Sequence, residues 1–138
     1  MFQQLTILGP GLLGGSIGLA VKQRKLAKRV VVWARRPEAG DQAVQLGAAD
    51  ATTHDLRRAV AESDVVIFAT PIGVMRTLAE QLRGVIRPDC IVTDVGSVKY
   101  DVVAQLGALF PRFIGSHPMA GSEQAGIEAA RRDLFEKA

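Results

Sequence analysis

The sequence contains few of the residues on which several classes of protein depend. Among its 138 residues there is one cysteine, Cys90, and aromatic residues make up 5% of the chain. A single cysteine excludes a disulfide framework within the chain and a metal cluster built on cysteines. Sparse aromatic residues argue against a protein that binds single-stranded nucleic acid by stacking its bases. Cys90 stands in an apolar stretch, so we predict that it is a small buried core residue.

Long apolar runs and blocks of one charge are also missing. No apolar run approaches the roughly 20 residues needed to span a bilayer, and the first residues lack the basic-then-apolar order of a secretion signal. The formal net charge is +3, and basic residues are interspersed with acidic ones along the predicted helices. We therefore expect a cytoplasmic protein that binds neither nucleic acid nor membrane, and we predict no metal site.

Short apolar runs alternate with helical segments along the chain. The clearest strand cores are Leu5–Leu8, Val30–Trp33, Val65–Ala69, Cys90–Val92 and Phe113–Ile114, with a further short strand inside Ala48–Thr53. Helical periodicity covers Leu13–Arg24, Gly73–Ile86 and Val98–Phe110. This alternation predicts an α/β fold of the Rossmann type, a doubly wound and mainly parallel sheet with helices on both faces.

The length and the final residues bear on domain organisation. With 48% hydrophobic residues, a chain of 138 residues is long enough for one domain with a core and too short for two. Residues Glu123–Phe135 indicate a loop and a helix that should lead into another strand. We predict that residues 1–138 form one dinucleotide-binding domain, and we expect that it is part of a longer protein.

The segment GPGLLG fits the dinucleotide-binding pattern G-x-G-x-x-G and stands between the first predicted strand and the first predicted helix. In this pattern Gly9 permits a tight turn, Gly11 lets the backbone approach a pyrophosphate, and Gly14 lets the helix pack closely on the strand. Amides at the start of the helix, including those of Leu12 and Leu13, are predicted to bind phosphate oxygens. A glycine-rich turn without a ligand is the alternative, which the strand and helix around it disfavour.

The end of the second predicted strand bears on the choice of cofactor. NAD-binding domains usually place Asp or Glu there to bind the ribose 2'-hydroxyl, whereas this chain continues as Ala34, Arg35 and Arg36. A small residue followed by two guanidinium groups offers room and hydrogen-bond donors to a 2'-phosphate. We therefore predict that these three residues bind the cofactor and that NADP is preferred over NAD. The alternative is that both arginines are solvated turn residues.

Two further strand ends carry candidate residues. Thr70 and Pro71 follow the strand that ends at Ala69, where a loop can line the ribose of the nicotinamide, although an ordinary turn is nearly as good an interpretation. Ser97 stands in the segment DVGSVK, where a serine can cap the following helix and still face the cofactor.

His117 is the most specific candidate, in the loop GSHPMAGSE at the end of a predicted strand. Histidine titrates near neutral pH, so a neutral imidazole there can accept the proton of a substrate hydroxyl while hydride leaves the same carbon. The alternative is a structural loop histidine. His54 lies in a polar turn without such a setting and is predicted to be merely exposed.

Four segments of the sequence, ILGPGLLGGSIG, FATPI, DVGSVK and GSHPMAGSE, closely resemble in order and spacing the N-terminal domain of the prephenate/arogenate dehydrogenase family. The resemblance covers essentially the whole chain, and the last two segments are the most particular. It implies oxidative decarboxylation of prephenate to 4-hydroxyphenylpyruvate, or of arogenate to tyrosine, in tyrosine biosynthesis. In that reaction hydride passes from the ring carbinol carbon to the nicotinamide.

The resemblance also implies roles for individual residues. His117 matches the histidine that deprotonates the ring hydroxyl, and Ser97 matches a serine that hydrogen-bonds near it. Ser122 and Glu123 match positions that line the substrate pocket, and Lys99 is a weaker candidate. Family members carry a helical C-terminal domain that forms the homodimer and completes the pocket, and that domain is not in this sequence. We therefore expect cofactor binding with little or no turnover from these residues alone.

Two other functions stay open on the sequence alone. One is a related reductase of the pyrroline-carboxylate or 3-hydroxyacid type, which shares the glycine loop and the strand-ending Thr-Pro but does not need His117. The other is a regulatory or sensor domain that binds the dinucleotide without chemistry.

Overall fold

The structure is a computed structural model, and it describes residues 1–95, 106–116 and 130. Strands and helices alternate along these residues, beginning with a strand. The strands are β1 (Phe2–Leu8), β2 (Ala27–Trp33), β3 (Ala51–Thr53), β4 (Val65–Phe68), β5 (Ile91–Asp94) and β6 (Phe113–Ile114). The helices are α1 (Leu12–Gln23), α2 (Pro37–Gln45), α3 (Leu56–Val60) and α4 (Ile72–Leu82).

The six strands form one sheet in the order β3-β2-β1-β4-β5-β6, and every neighbouring pair is parallel. The chain runs outward from β1 in one direction through β2 and β3, then returns to place β4 on the other side of β1. This is the doubly wound Rossmann arrangement predicted from the sequence. In such a sheet the ligand crevice lies at the carboxyl ends of the strands, where the strand order reverses.

Each face of the sheet is covered by its own hydrophobic core. Leu5 and Ile7 of β1 pack in the core that includes buried residues of α1 and α2. Leu8 packs on the opposite face, with buried residues of α3 and α4. Because both faces are covered, all four residues of β4 are buried. This explains why the central strands have continuous apolar runs instead of an alternating pattern.

Two strands begin earlier than their apolar runs indicate. The first strand starts at Phe2 and not at Leu5, and the second starts at Ala27 and not at Val30. Their additional residues are mostly exposed, but they continue the parallel ladder, in which Phe2 pairs with Ala27. Hydrophobicity marks only the buried part of a strand, so the solvated beginnings were missed.

The helices differ from the prediction at several points. We did not predict α2, in which only Gly40 and Ala43 are buried, or α3, which has five residues. The fourth helix begins at Ile72 and ends at Leu82, earlier than the predicted Ile86, and Gly84 follows with a φ of +79°. A residue in the left-handed region terminates a helix, and glycine adopts it without steric cost.

Other element boundaries differ from the prediction by one to three residues. The short strand predicted inside Ala48–Thr53 covers Ala51–Thr53, and the strand predicted to end at Ala69 ends at Phe68. Cys90 is buried as predicted, but it lies immediately before β5. The predicted helix Val98–Phe110 and the predicted segment Glu123–Phe135 lie mostly outside the described residues.

Candidate dinucleotide-binding site

The turn after β1 depends on Gly9. This residue has a φ of +107°, in the left-handed region that favours glycine, and its amide donates a hydrogen bond to the Trp33 carbonyl oxygen at 3.0 Å. A Cβ atom at Gly9 would lie 2.9 Å from Thr70 Cγ2 and 3.0 Å from the Ala69 carbonyl oxygen. The turn is therefore held between the carboxyl ends of β2 and β4, and no larger residue fits there.

The first turn of α1 packs directly on this glycine turn. A Cβ atom at Gly14 would lie 2.0 Å from the carbonyl oxygen of Gly9, so the close approach requires a glycine. Gly11 is the N-cap of the helix, no side chain caps the helix, and the first turn contains no acidic residue. The first amides of a helix have no acceptor within the helix. Uncapped amides at the positive end of the helix dipole are suited to bind an anion.

The space around Gly11 is open. No atom lies within 4 Å of the position that a Cβ of Gly11 would occupy. A cavity of about 670 Å³ opens here, within the size range of roughly 300–1,000 Å³ that is usual for small-molecule sites. Its lining comes from the glycine turn, the end of β2, the start of α2 and the start of α4, and comprises Gly9, Pro10, Gly11, Trp33, Arg35, Arg36, Glu38, Ala39, Gln42, Thr70, Pro71 and Val74.

Two of the predicted cofactor residues are exposed cations at the rim of this cavity. Arg35 and Arg36 line it, and neither forms an ion pair with any of the residues that the structure describes. Ala34, directly before them, is buried, and its amide donates a hydrogen bond to the Thr53 carbonyl oxygen at 3.3 Å. The two guanidinium groups thus follow a fixed strand end and are available to a ligand.

Sequence reasoning missed an anionic neighbour of these arginines. Glu38 lines the same cavity, in the first turn of α2. We looked for a carboxylate only at the end of the strand, because we had not predicted the helix that begins at Pro37. The signal was available, since a proline followed by an acidic residue is typical of the first turn of a helix.

The other side of the cavity is formed by Thr70 and Pro71, which precede α4. Pro71 is the N-cap of that helix, and the Thr70 methyl group faces Gly9. The Thr70 hydroxyl oxygen is buried and has no hydrogen-bond partner among the residues described. A buried hydroxyl is nearly always hydrogen-bonded, so an unpaired one beside a ligand cavity is a candidate ligand contact.

The remaining predicted site residues follow β5 and β6 in the sequence. Described residues reach Val95 after β5 and Ser116 after β6, and both strands end at the carboxyl edge of the sheet. The predicted residues Ser97, Lys99, His117, Ser122 and Glu123 follow these two points and lie outside the described residues.

His54 and Cys90, for which the sequence predicts no functional role, are exposed and buried respectively, as predicted. His54 is exposed, and its carbonyl oxygen accepts a hydrogen bond from Trp33 Nε1 at 3.0 Å. Burial raises the pKa of the Cys90 thiol to about 11, so it is protonated at neutral pH and is not a nucleophile.

The sequence model of one family matches most of the chain. The family is described as prephenate dehydrogenase, nucleotide-binding domain, and the match covers residues 17–138. The chain belongs to this family. The match begins after the glycine motif, but the prephenate dehydrogenase of Bacillus subtilis is 37% identical over 142 aligned residues that cover 100% of this chain.

Solved structures of family members show the same fold. The chain has a TM-score of 0.90 and 30% identity to prephenate dehydrogenase from A. aeolicus, solved with hydroxyphenyl propionate and NAD+, over 98% of this chain and 48% of that one. Arogenate dehydrogenase from Synechocystis gives a TM-score of 0.90 and 29% identity, over 96% of this chain and 47% of that one. The chain spans 38% of the length of the B. subtilis enzyme, so it corresponds to less than half of each relative.

Two kinds of feature are absent from the described residues. None of the helices in the part of the chain that the structure describes is long and apolar enough to cross a membrane. Within the same residues, no three His, Cys, Asp or Glu side chains are grouped as a metal site would require.

Proposed function

We propose that this chain is the cofactor-binding part of an NAD(P)-dependent enzyme that oxidises and decarboxylates prephenate or arogenate in tyrosine biosynthesis. The observation that carries the proposal is the uncapped start of α1, which opens on a cavity at the switch point of a prephenate dehydrogenase domain. The relatives named above are prephenate and arogenate dehydrogenases.

Each part of the cavity suits a different part of a nicotinamide dinucleotide. The amides at Gly11, Leu12 and Leu13 would bind the pyrophosphate, because they begin an uncapped helix. The ribose of the adenosine would lie towards Ala34 and the two arginines, and the nicotinamide ribose towards Thr70 and Pro71. When bound, the cofactor supplies an acceptor for the hydride.

We further propose NADP as the preferred cofactor. Arg35 and Arg36 follow the end of β2, line the cavity and have no described ion-pair partner. Two guanidinium groups can bind a 2'-phosphate with several charged hydrogen bonds. Glu38 opposes this preference, since it lines the same cavity and its negative charge would repel the phosphate. We expect the two cations to outweigh the one anion.

The proposed chemistry uses His117 and Ser97. The His117 imidazole would accept the proton of the ring hydroxyl, Ser97 would hydrogen-bond to the same hydroxyl, and hydride would leave the carbinol carbon. The bond between the ring and its carboxyl group then breaks, carbon dioxide leaves, and the electron pair enters the ring. The ring becomes aromatic as the new carbonyl becomes a phenolate, which takes a proton to give the phenol. Aromatisation supplies the driving force, so alignment is the main task of the protein.

Further parts of the site and the assembly are proposed from the family resemblance. Ser122 and Glu123 would line the pocket for the small-molecule substrate. A helical C-terminal domain would complete that pocket and form a homodimer. A biosynthetic enzyme of this kind would work in the cytoplasm.

The test is a matrix of two substrates and two cofactors. Turnover of prephenate and of arogenate is measured with NADP and with NAD, on a protein that joins residues 1–138 to a helical C-terminal domain of the family. We expect turnover with at least one substrate and a higher kcat/KM with NADP. Absence of turnover in all four combinations contradicts the proposed reaction, and equal or better use of NAD contradicts the cofactor preference.

A further inference from the structure

The ends of β5 and β6 are joined by side-chain hydrogen bonds that extend beyond their backbone ladder. We propose that Thr93 and Asp94 are positioning residues, which fix the backbone at Ser116 and so set where the next residue, His117, begins. This inference rests on the proposed function, because it gives the contacts a role in catalysis through His117. We refer to Thr93, Asp94, Ile114 and Ser116 as the β5–β6 clamp.

The bonds of the clamp connect two residues of β5 with the segment that leaves β6. The Thr93 hydroxyl donates to the Ile114 carbonyl oxygen at 2.6 Å. The Ser116 amide donates to Asp94 Oδ1 at 3.3 Å, and the Ser116 hydroxyl donates to the Asp94 carbonyl oxygen. Asp94 is completely buried. A buried carboxylate needs such donors, so the Ser116 backbone is held in a defined place.

A count of the protons shows that this arrangement has one preferred form. Each hydroxyl has a single proton. The Thr93 proton serves the Ile114 carbonyl, and the Ser116 proton serves the Asp94 carbonyl. The two hydroxyl oxygens are also 3.1 Å apart, but a hydrogen bond between them would remove a proton from one carbonyl. The clamp is therefore most stable with both hydroxyl groups directed at backbone carbonyls.

The clamp is needed because the backbone ladder alone is short. Among the described residues, strand β6 has two residues, lies at the edge of the sheet and pairs only with β5, through Val92 with Phe113 and Thr93 with Ile114. Ile114, the last residue of β6, is 62% exposed, so its own packing holds the strand end weakly. The side-chain bonds extend the connection as far as Ser116. Consecutive Cα atoms are about 3.8 Å apart, so fixing Ser116 limits where His117 can start.

The position of a catalytic base matters for the rate more than for cofactor binding. A displacement of about 1 Å can reduce a rate by about 10²-fold. The clamp lies on β5 and β6, whereas the glycine turn follows β1, and β4 separates β1 from β5. No clamp residue lines the cavity beside the glycine turn. Loss of the clamp is therefore expected to lower kcat and to leave cofactor affinity unchanged.

The experiment compares three variants in the enzyme with its helical C-terminal domain. Thr93→Val removes the hydroxyl at nearly constant shape, Thr93→Ser keeps the hydroxyl, and Thr6→Val is the matched control. Thr6 is a buried strand threonine whose hydroxyl also donates to a carbonyl, that of Ala59, at 2.8 Å. We expect Thr93→Val to reduce kcat at least tenfold with cofactor Kd changed less than twofold. Thr93→Ser should restore kcat to within about threefold of the wild type, and Thr6→Val should lower stability without lowering kcat.

A second measurement does not depend on turnover. Hydrogen exchange of the Ser116 amide is followed by NMR in the same three variants and in Asp94→Asn. We expect this amide to be protected in the wild type and to exchange at least tenfold faster in Thr93→Val and in Asp94→Asn, relative to the amides of β4. An unprotected Ser116 amide, or unchanged exchange in both variants, overturns the clamp.

The two proposals fail in different ways. If the wild type turns over neither prephenate nor arogenate, the proposed function fails, and the exchange of the Ser116 amide still decides whether the clamp exists. If the wild type is active and Thr93→Val keeps its kcat, the positioning role is wrong although the function stands. A fall in kcat that Thr6→Val shares to the same degree also contradicts positioning, because both variants then act through stability.

Discussion

At the scale of single residues, Gly14 is required by the packing of the fold, whereas Gly11 is required by the space that the ligand needs. A Cβ at Gly14 would lie 2.0 Å from the Gly9 carbonyl oxygen, whereas a Cβ at Gly11 would meet nothing within 4 Å. Gly11 also has a φ of −77°, which alanine adopts without strain. We expect Gly14→Ala to destabilise the protein by about 1–3 kcal/mol, as overpacking usually does. Gly11→Ala should unfold like the wild type but bind NADPH more weakly, because its methyl group enters the space for the pyrophosphate. Thermal unfolding measures the stability of both variants, and a fluorescence titration measures their NADPH affinity. Equal stabilities would contradict the claim that the fold requires Gly14 but not Gly11.

Arg35 and Arg36 give a prediction about cofactor choice. Replacing both by glutamine removes the charge but leaves the backbone of the strand end unchanged. Hydrogen bonds to charged groups contribute about 1.5–3 kcal/mol, so NADPH affinity should fall about 10-fold to 100-fold. NADH affinity should change little, because NADH has no 2'-phosphate. The matched control is Glu38→Gln, which removes the opposing charge on the same cavity and should strengthen NADPH binding. Equal losses for NADPH and NADH would mean that the arginines do not recognise the phosphate.

His117→Asn is the variant that separates the proposed reaction from a related reductase. General-base catalysis contributes about 10²-fold to 10⁴-fold, so kcat with prephenate or arogenate should fall by that factor. Cofactor Kd should stay within twofold, because the residue is proposed to act on the substrate hydroxyl. Steady-state kinetics and a binding titration supply the two numbers. His54→Asn, at an exposed residue, is the control and should leave both unchanged. Substantial activity of His117→Asn would favour chemistry that does not use this imidazole.

At the scale of elements, Asp50 connects a helix with the sheet. Its carboxylate accepts a hydrogen bond from the Val30 amide at 2.7 Å and forms an ion pair with Lys22 of α1. Partial burial acts to raise its pKa, but the bonds from Lys22 and Val30 outweigh burial, and the pKa lies below the usual 3.8. A carboxyl group with a lowered pKa stabilises the fold above its unfolded pKa, and this contribution is lost as pH falls through the folded value.

The resulting prediction concerns stability against pH. Asp50→Asn should lower the free energy of unfolding at pH 7 by no more than about 1 kcal/mol, since the ion pair is partly exposed. The difference between wild type and variant should shrink as the pH falls below the usual value of 3.8 and through the lowered pKa of the folded state, because the wild-type carboxylate then becomes protonated. Denaturant unfolding at several pH values measures it. Asp41→Asn is the control, because Asp41 is exposed on α2 and forms no ion pair with a described residue. A difference independent of pH would show that charge is not the cause.

The helices and strands also show which elements could be predicted from the sequence. The buried strand cores and α1 were found because apolar residues mark what the sheet covers. Hydrophobicity does not mark the solvated beginnings of β1 and β2, because those residues are held by the backbone ladder. It does not mark the polar helix α2 either, because the signal for that helix is in its first turn. The omission of α2 mattered for the site, since Glu38 belongs to α2 and lines the same cavity as the two arginines.

At the scale of the whole molecule, the sheet topology explains why widely separated segments were correctly assigned to one edge. Gly9, Arg35 and Thr70 follow three different strands, yet the parallel order β2-β1-β4 brings all three to one cavity. The order of the strands, together with the Gly and Pro residues that end them, is enough to predict that these residues lie at one edge of the sheet. The Thr70 hydroxyl that lacks a described partner, and the hydrogen bonds of the β5–β6 clamp, depend on side-chain geometry that no periodicity reveals. The roles of Ser97, His117, Ser122 and Glu123 stay predictions.

The last prediction concerns which part of the enzyme is sufficient for cofactor binding and which parts are needed for turnover. Residues 1–138 contain the glycine turn, the uncapped helix start and the cavity, so we expect this chain alone to bind NADPH. Catalysis also needs the substrate held within reach of the nicotinamide, and the relatives are more than twice as long as this chain. We therefore expect residues 1–138 alone to show less than about one hundredth of the kcat/KM of the protein joined to a helical C-terminal domain, with NADPH Kd within about threefold. A titration and a prephenate assay on both proteins provide the comparison, with Gly11→Ala as the control that weakens NADPH binding in each. Robust prephenate-dependent formation of NADPH by residues 1–138 would show that the pocket is complete within this sheet.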